Sequence, residues 1–164
     1  MGLLGIRQEQ ALITSLFKHL DAHAQVHMSS AYLNFPPDFT NVLLDCKAPI
    51  QILTSSPEAN GFYGAKNVSG YLPDAYTYLE KNLFQKIQKQ KRQGDVEIRE
   101  YHRPGWTFHA KGIWISEPDK GPVWTSIGSS NFNSRSFDRD LEAQSFIKTE
   151  CPDLLERLEE VCFF

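Results

Sequence analysis

FHAKGIWISEPDKGPVWTSIGSSNFNSRSFDRDLEAQ, residues 108–144, is the stretch that decides both the fold and the chemistry of this chain. TFHAKGIWIS (107–116) alternates as a strand does, EPDKGP (117–122) has turn composition, and VWTSI (123–127) makes a second strand. GSSNFNSRS (128–136) is a loop, and DRDLEAQSFIK (138–148) returns as a third strand. Residues two apart on a strand project to one face, so His109 and Lys111 look out together. An imidazole serves as nucleophile or proton carrier, and a lysine is a point charge for a phosphoryl oxygen. Beyond the hairpin, Gly128 admits close backbone approach, and Ser129 and Asn131 offer hydrogen bonds. Asp140 and Glu142 share a face of the returning strand, where a carboxylate can hold one imidazole nitrogen and leave the other aimed at phosphorus. A histidine, a lysine, an asparagine and a carboxylate suffice for metal-free phosphoryl transfer, so neither a metal nor another cofactor is expected.

Outward from that segment, helical spacing of Ala11, Leu12, Leu16 and Leu20 predicts a helix over residues 8–22. AQVHMSSAYLNF (24–35) reads as a strand stopped by Pro36-Pro37, and a short helix follows at 38–44. IQILTSS (50–56) is a strand entering the turn-rich loop PEANGFYGAKNVSG (57–70). A long helix at 73–93 carries Tyr76, Leu79, Leu83, Phe84 and Ile87 on one face. VEIREY (96–101) is a further strand, and CPDLLERLEEV (151–161) closes as a helix. Helices punctuating strands imply an α/β domain, a mixed β-sheet flanked by helices, formed by residues 1–164 as one unit.

At 164 residues the chain can bury roughly 70% of its extended surface. Its net charge of −3 gives no electrostatic case for a nucleic-acid partner. Cys46, Cys151 and Cys162 are odd in number and widely spaced, which argues against a disulfide framework or a zinc site. No apolar run approaches the roughly 20 residues that span a bilayer. MGLLGIRQEQ has neither a secretory core nor a transit-peptide pattern, so any organellar address lies outside this segment.

Each candidate has a plainer reading. His109 alone would be an ordinary strand histidine; Lys111, Asn131 and Glu142 in register turn it into a site. His19, His23 and His27 are four apart, but the chain is expected to leave the helix before His27. Gly61 and Gly64, with Lys66, can cradle nucleotide phosphates or simply form a surface loop. Lys86, Lys89, Lys91 and Arg92 suit a helix C-terminus and solvent better than the alternative, an anionic lipid. Arg135 and Arg139 flank the active loop and are candidates for a substrate phosphate.

H-x-K followed by G-S-x-N resembles the signature of the phospholipase D superfamily, whose members place two such motifs around one site. MGLLGIR, TSSPEANGFYGAK, GWTFHAKGIW and GSSNFNSRSFDRDLEAQ together look like the C-terminal half of the eukaryotic mitochondrial phosphatidylglycerophosphate synthases. The resemblance implies a phospholipase-D-like layered fold and transfer of a phosphatidyl group from CDP-diacylglycerol to glycerol 3-phosphate, releasing CMP. It further implies a mitochondrial location, peripheral membrane contact and nucleotide binding. His109, Lys111, Asn131 and Ser129 match the second motif, and Glu142 matches the acidic residue beyond it. The family's usual aspartate, five positions after the lysine, is here Ser116, beside Glu117. No first H-x-K motif is present, so the chain is expected to be half a site whose other half lies in a missing N-terminal portion. The alternatives are a homodimeric single-motif phosphodiesterase or nuclease, and an inactive remnant.

Overall fold

The central pair of strands, β1 (Gln25–Ser30) and β4 (Lys111–Glu117), run antiparallel and divide the sheet into two halves of different construction. On one side β1, β2 (Ile50–Ser55) and β3 (Val96–Tyr101) are parallel. On the other, β4, β5 (Gly121–Gly128) and β6 (Gln144–Lys148) are antiparallel, so the spatial order is β3-β2-β1-β4-β5-β6. Parallel neighbours require crossovers. α2 (Pro37–Asp45) supplies the first, and a 3-10 turn (Asn67–Tyr71) running into α3 (Leu72–Lys89) supplies the second. α1 (Gln8–His19), the short α4 (Ser134–Asp138) and α5 (Pro152–Cys162) complete the computed structural model, which describes residues 8–162. The MGLLGIR segment lies outside the described residues.

Alternation decides which face is core. Val26, Met28, Ile50, Ile52, Ile113 and Ile115 point to one face and are at most 3% exposed. Ile13 and Phe17 of α1 and Phe39 and Leu43 of α2 cover it. Phe39 is fully buried, with its ring centroid 6.0 Å from Phe17, 5.2 Å from Phe35 and 5.5 Å from Phe137. It therefore ties α1, α2 and α4 into one contact. On the opposite face Cys162 of α5 lines a small pocket together with His27, Gln51 and Trp114.

The mixed α/β sheet agrees with the sequence reading; several local assignments differ. α1 ends at His19 and buries Ile13 and Phe17, while Leu12 is 39% exposed. His19, His23 and His27 consequently fall on a helix end, a turn and a strand. α3 buries Leu83 and Ile87 but turns Phe84 outward, 48% exposed, because Phe84 sits a further 100° round the helix from Leu83. The expected strand at 107–116 pairs only from Lys111, since Ser30 is the last residue β1 offers to it. The expected strand at 138–148 pairs only from Gln144. Part of the expected loop at 128–136 is helical instead, because the side chain of Asn133 accepts the Ser136 N–H at 2.8 Å and caps α4.

Phe39→Ala should lower stability by about 3–5 kcal/mol, since the void would open among three other rings. Urea unfolding by circular dichroism checks this; a loss under 1 kcal/mol would show that α1, α2 and α4 are not joined through Phe39.

Candidate active site

Register gathers the chemistry at one edge of the sheet. Ser30 pairs with Lys111, Ser55 with Tyr101 and Gly128 with Gln144. The C-terminal ends of β1, β2, β3 and β5 therefore meet the starting ends of β4 and β6. Strand direction changes at the β1–β4 seam, and such a switch opens a crevice at the strand ends. Ser30 Oγ donates to the Asn131 carbonyl at 2.7 Å, stitching the end of β1 to the loop after β5.

His109 lies just outside the sheet yet keeps strand alternation. Phe108 points inward, 7% exposed, its N–H bonded to the Ala59 carbonyl at 2.8 Å and its ring stacked on Tyr101 at 5.1 Å. His109 consequently points out, and Lys111 follows it on the same side. Lys111 Nζ stands 3.2 Å from His109 Nδ1, 3.1 Å from Nε2 and 3.2 Å from the His109 carbonyl oxygen. The shared-face expectation for this pair holds although residue 109 has left the ladder. Partial burial, and secondarily the Lys111 charge, hold the His109 imidazole below its ordinary pKa, so it is biased to the neutral form. Burial likewise lowers Lys111, and the Glu142 carboxylate opposes that shift.

Glu142 reaches the site through Ser129. Ser129 Oγ donates to Glu142 Oε2, while Ser129 N–H bonds the Ala143 carbonyl at 3.0 Å and Ala143 N–H bonds Ser129 Oγ at 3.2 Å. Gly128 permits this latch: a Cβ there would overlap the Ala143 carbonyl and the Gln144 side chain. Asn131 presents a half-buried amide whose Oδ1 has no partner among the described residues, while Ser136 Oγ accepts its backbone N–H at 3.1 Å. Phe132, fully buried, has φ 54°, a left-handed conformation that costs a bulky residue on the order of 1–2 kcal/mol. Burial of its ring holds that turn, and the turn presents Asn131.

Other expected residues are placed differently. Asp140 and Glu142 precede β6 and do not act as one face: Asp140 accepts from Arg135 Nε at 2.9 Å, and Glu142 is taken by Ser129. Arg135 is thus already held by a carboxylate, whereas no such ion pair involves Arg139 among the described residues, and its side chain is exposed. In the 57–70 loop the amides of Phe62, Tyr63 and Ala65 bond within the loop, to Asn60 and Phe62. Gly64 takes φ 71° there, Gly61 lies against the Tyr32 hydroxyl, and Lys66 is exposed. Ser116 is at the far end of β4, about 16 Å along the strand from Lys111, with a buried hydroxyl.

An aromatic wall was not legible in the sequence. Tyr32 stands edge-on to His109 with centroids 5.6 Å apart, stacks on Tyr76 at 5.1 Å and touches Phe62 at 5.9 Å. These rings come from three separate connections, and nothing local marks them as neighbours. Glu9 was also missed. Burial raises its carboxyl, a Ser130 hydrogen bond opposes that, and nearby Glu142 adds to the rise.

The pH behaviour of His109 follows from its surroundings. Its folded pKa lies below the ordinary 6.5, so as pH falls the unfolded chain takes up this proton first. Between the two pKa values the unfolded state binds more protons, and the contribution of His109 to stability declines as pH drops through 6.5, with none of that decline above it. NMR titration of the ring should give a midpoint under 6.5, and Lys111→Gln should raise it only partway, because burial remains. A wild-type midpoint at or above 6.5 would contradict the reading.

Comparison with known proteins converges on one family. The family model described as cardiolipin synthase, PLD-like domain, matches residues 17–161. A probable CDP-diacylglycerol–glycerol-3-phosphate 3-phosphatidyltransferase of Dictyostelium discoideum is 38% identical over 97% of this chain and 28% of its own length. The mitochondrial enzyme of that name from Homo sapiens is 39% identical over 94% of this chain and 28% of its own. The chain thus spans less than a third of the length of these relatives. Among solved structures, phosphatidylserine synthase of Haemophilus influenzae superposes with a TM-score of 0.80 at 24% identity, over 98% of this chain and 36% of that one. Nuc of Salmonella typhimurium, a phospholipase D family member, gives 0.54 at 20% identity over 93% and 82%. Both show the same fold. With its H-x-K and G-S-x-N segments meeting at one sheet edge, the chain belongs to the PLD-like domain family of the cardiolipin synthase type.

Proposed function

We propose that this domain supplies one half of a phosphatidyl-transfer site and works with a second half carried by the amino-terminal portion of a longer protein. In this reading the phosphatidyl group passes from CDP-diacylglycerol to glycerol 3-phosphate, the donor and acceptor named for the relatives, in a mitochondrial setting. The observation that carries the proposal is the Lys111 ammonium set within 3.2 Å of both His109 ring nitrogens beside the Ser129–Glu142 latch. A histidine of the other half attacks phosphorus, the N–P bond forms, and the bond to CMP breaks. The acceptor hydroxyl then attacks phosphorus, the N–P bond breaks, and the hydroxyl proton goes to His109.

A predominantly neutral His109 suits that division of labour. A nucleotide phosphate is a weakly basic leaving group with little need of an acid, whereas a glycerol hydroxyl must lose its proton to attack. Lys111 and the Asn131 amide hold the phosphoryl oxygens, which gain charge in both transition states. Glu142 balances Lys111 and fixes Ser129; its bond to Ser129 leaves the imidazole to be oriented by Lys111 and Tyr32. Arg139, and Arg135 once released from Asp140, suit the second phosphate of a substrate, and the Gly61–Gly64 loop with Lys66 suits the nucleotide end. A second reading, two copies sharing one site, draws on the match of this chain to 82% of the length of Nuc.

The domain alone, as a monomer, should release no CMP from CDP-diacylglycerol and glycerol 3-phosphate. Turnover by a species with monomer mass would overturn the half-site reading, and turnover only by a dimer would favour the two-copy one. In the longer protein, His109→Ala should slow turnover by on the order of 100- to 10,000-fold. It should still accumulate labelled phosphatidyl-enzyme from a labelled donor; label on His109 itself would reverse the assigned roles.

A further inference from the structure

α3 and the turn before it carry a surface stripe that the proposed chemistry does not use. Val68 and Tyr71 are three apart on the 3-10 turn, and residues at that spacing eclipse. Tyr71, Tyr78 and Lys89 then recur at intervals of seven and eleven, which keeps them on one side of a helix. Val68 is 81% exposed, Tyr71 72% and Tyr78 65%. The buried line of the same helix, Leu83 and Ile87, lies opposite. Lys81 and Lys86 flank the stripe, and Asp74 is the acidic residue nearest it in the helix. Glu80 faces inward toward Glu100, where burial and that second carboxylate push its pKa up to about 7. In a chain of net charge −3, this face is cationic.

The stripe is coupled to the site. Tyr76 belongs to the wall against Tyr32 and His109, and one helical turn on, Leu79 and Leu83 line a cleft of about 430 Å³ whose rim carries Lys86 and Lys89. Asn34, Thr40, Asn82 and Gln85 share that lining with the apolar side chains, a mix beside two lysines that suits the head-group end of an anionic phospholipid. Exposed tyrosines at the end nearest the site, with lysines beyond, form the pattern of a surface that rests at a membrane–water interface.

We propose that the outer face of α3 docks this domain on an anionic phospholipid bilayer, with Val68, Tyr71 and Tyr78 at the interface and Lys81, Lys86 and Lys89 on the head groups. The inference rests on the lipid-substrate reading above and names the surface through which that substrate arrives. Charge complementarity selects the occupant, because the positive face lies on an otherwise acidic chain.

Co-sedimentation of the 164-residue chain with vesicles tests it, using phosphatidylcholine alone or mixed with phosphatidylglycerol. Binding is expected on the mixed vesicles and should weaken with salt. Lys81→Gln, Lys86→Gln and Lys89→Gln together should reduce it on the order of 100-fold. Tyr71→Ser with Tyr78→Ser should reduce it about tenfold. Lys47→Gln with Lys120→Gln, elsewhere on the surface, should leave it unchanged. All of these side chains are exposed, so unaltered melting is expected and each variant remains interpretable. No binding to mixed vesicles, or equal loss in the control pair, overturns the proposal. So does slow thiol labelling of Tyr78→Cys (in a Cys151→Ser background) within the longer protein before vesicles are added, since an amino-terminal portion would then own the face. Vesicle binding by the 164-residue chain together with no turnover by the longer protein would count against the catalytic reading alone. Turnover on detergent-dispersed donor without vesicle binding would count against this one alone.

Discussion

The antiparallel seam between β1 and β4 is the constraint on which the rest of this structure depends. The parallel strands on one side meet the antiparallel strands on the other at β1 and β4, which themselves run antiparallel. The seam ends at Ser30 and Lys111. Beyond it no strand remains to claim the backbone, so the segments on either side of the seam are free to turn side chains toward each other. Ser30 Oγ, bonded to the Asn131 carbonyl, keeps the β5 loop at that opening.

Electrostatics then divides roles within a small space. Lys111 sits between an imidazole, whose pKa burial lowers with help from the Lys111 charge, and a carboxylate, which supports its own positive state. In the proposed reaction, a cation held there would meet negative charge developing on a phosphoryl group with little reorganisation. The arrangement carries features that are unfavourable on their own: a left-handed Phe132, an Asn131 oxygen without a partner among the described residues, and a carboxyl at Glu9 raised by burial.

The frame tolerates wide sequence change. A TM-score of 0.80 accompanies only 24% identity to phosphatidylserine synthase of Haemophilus influenzae. Alternating apolar residues on the strands and an aromatic anchor such as Phe39 suffice to place the strand ends, after which a few side chains confer the chemistry. α3 joins the two levels: its inner line packs on the sheet, Tyr76 lines the site, and its outer face stays exposed.

The sequence by itself determined the mixed α/β class and the pairing of His109 with Lys111, and it singled out Ser129, Asn131 and Glu142 as candidates. Each of these is written in local spacing: alternation for strands, two-residue separation for a shared face, and a Gly-Ser-x-Asn turn. Local spacing also misled where pairing partners ran out, so that 107–110 and 138–143 read as strand although no neighbouring strand reaches them. Only the tertiary structure decided that Glu142 bonds Ser129 rather than His109, that Asp140 holds Arg135, and that Tyr32, Phe62 and Tyr76 wall the site. The ring contacts of Tyr32 join residues 30 and 44 positions apart across the crossovers, and no periodicity along the chain encodes which loops a crossover will bring together.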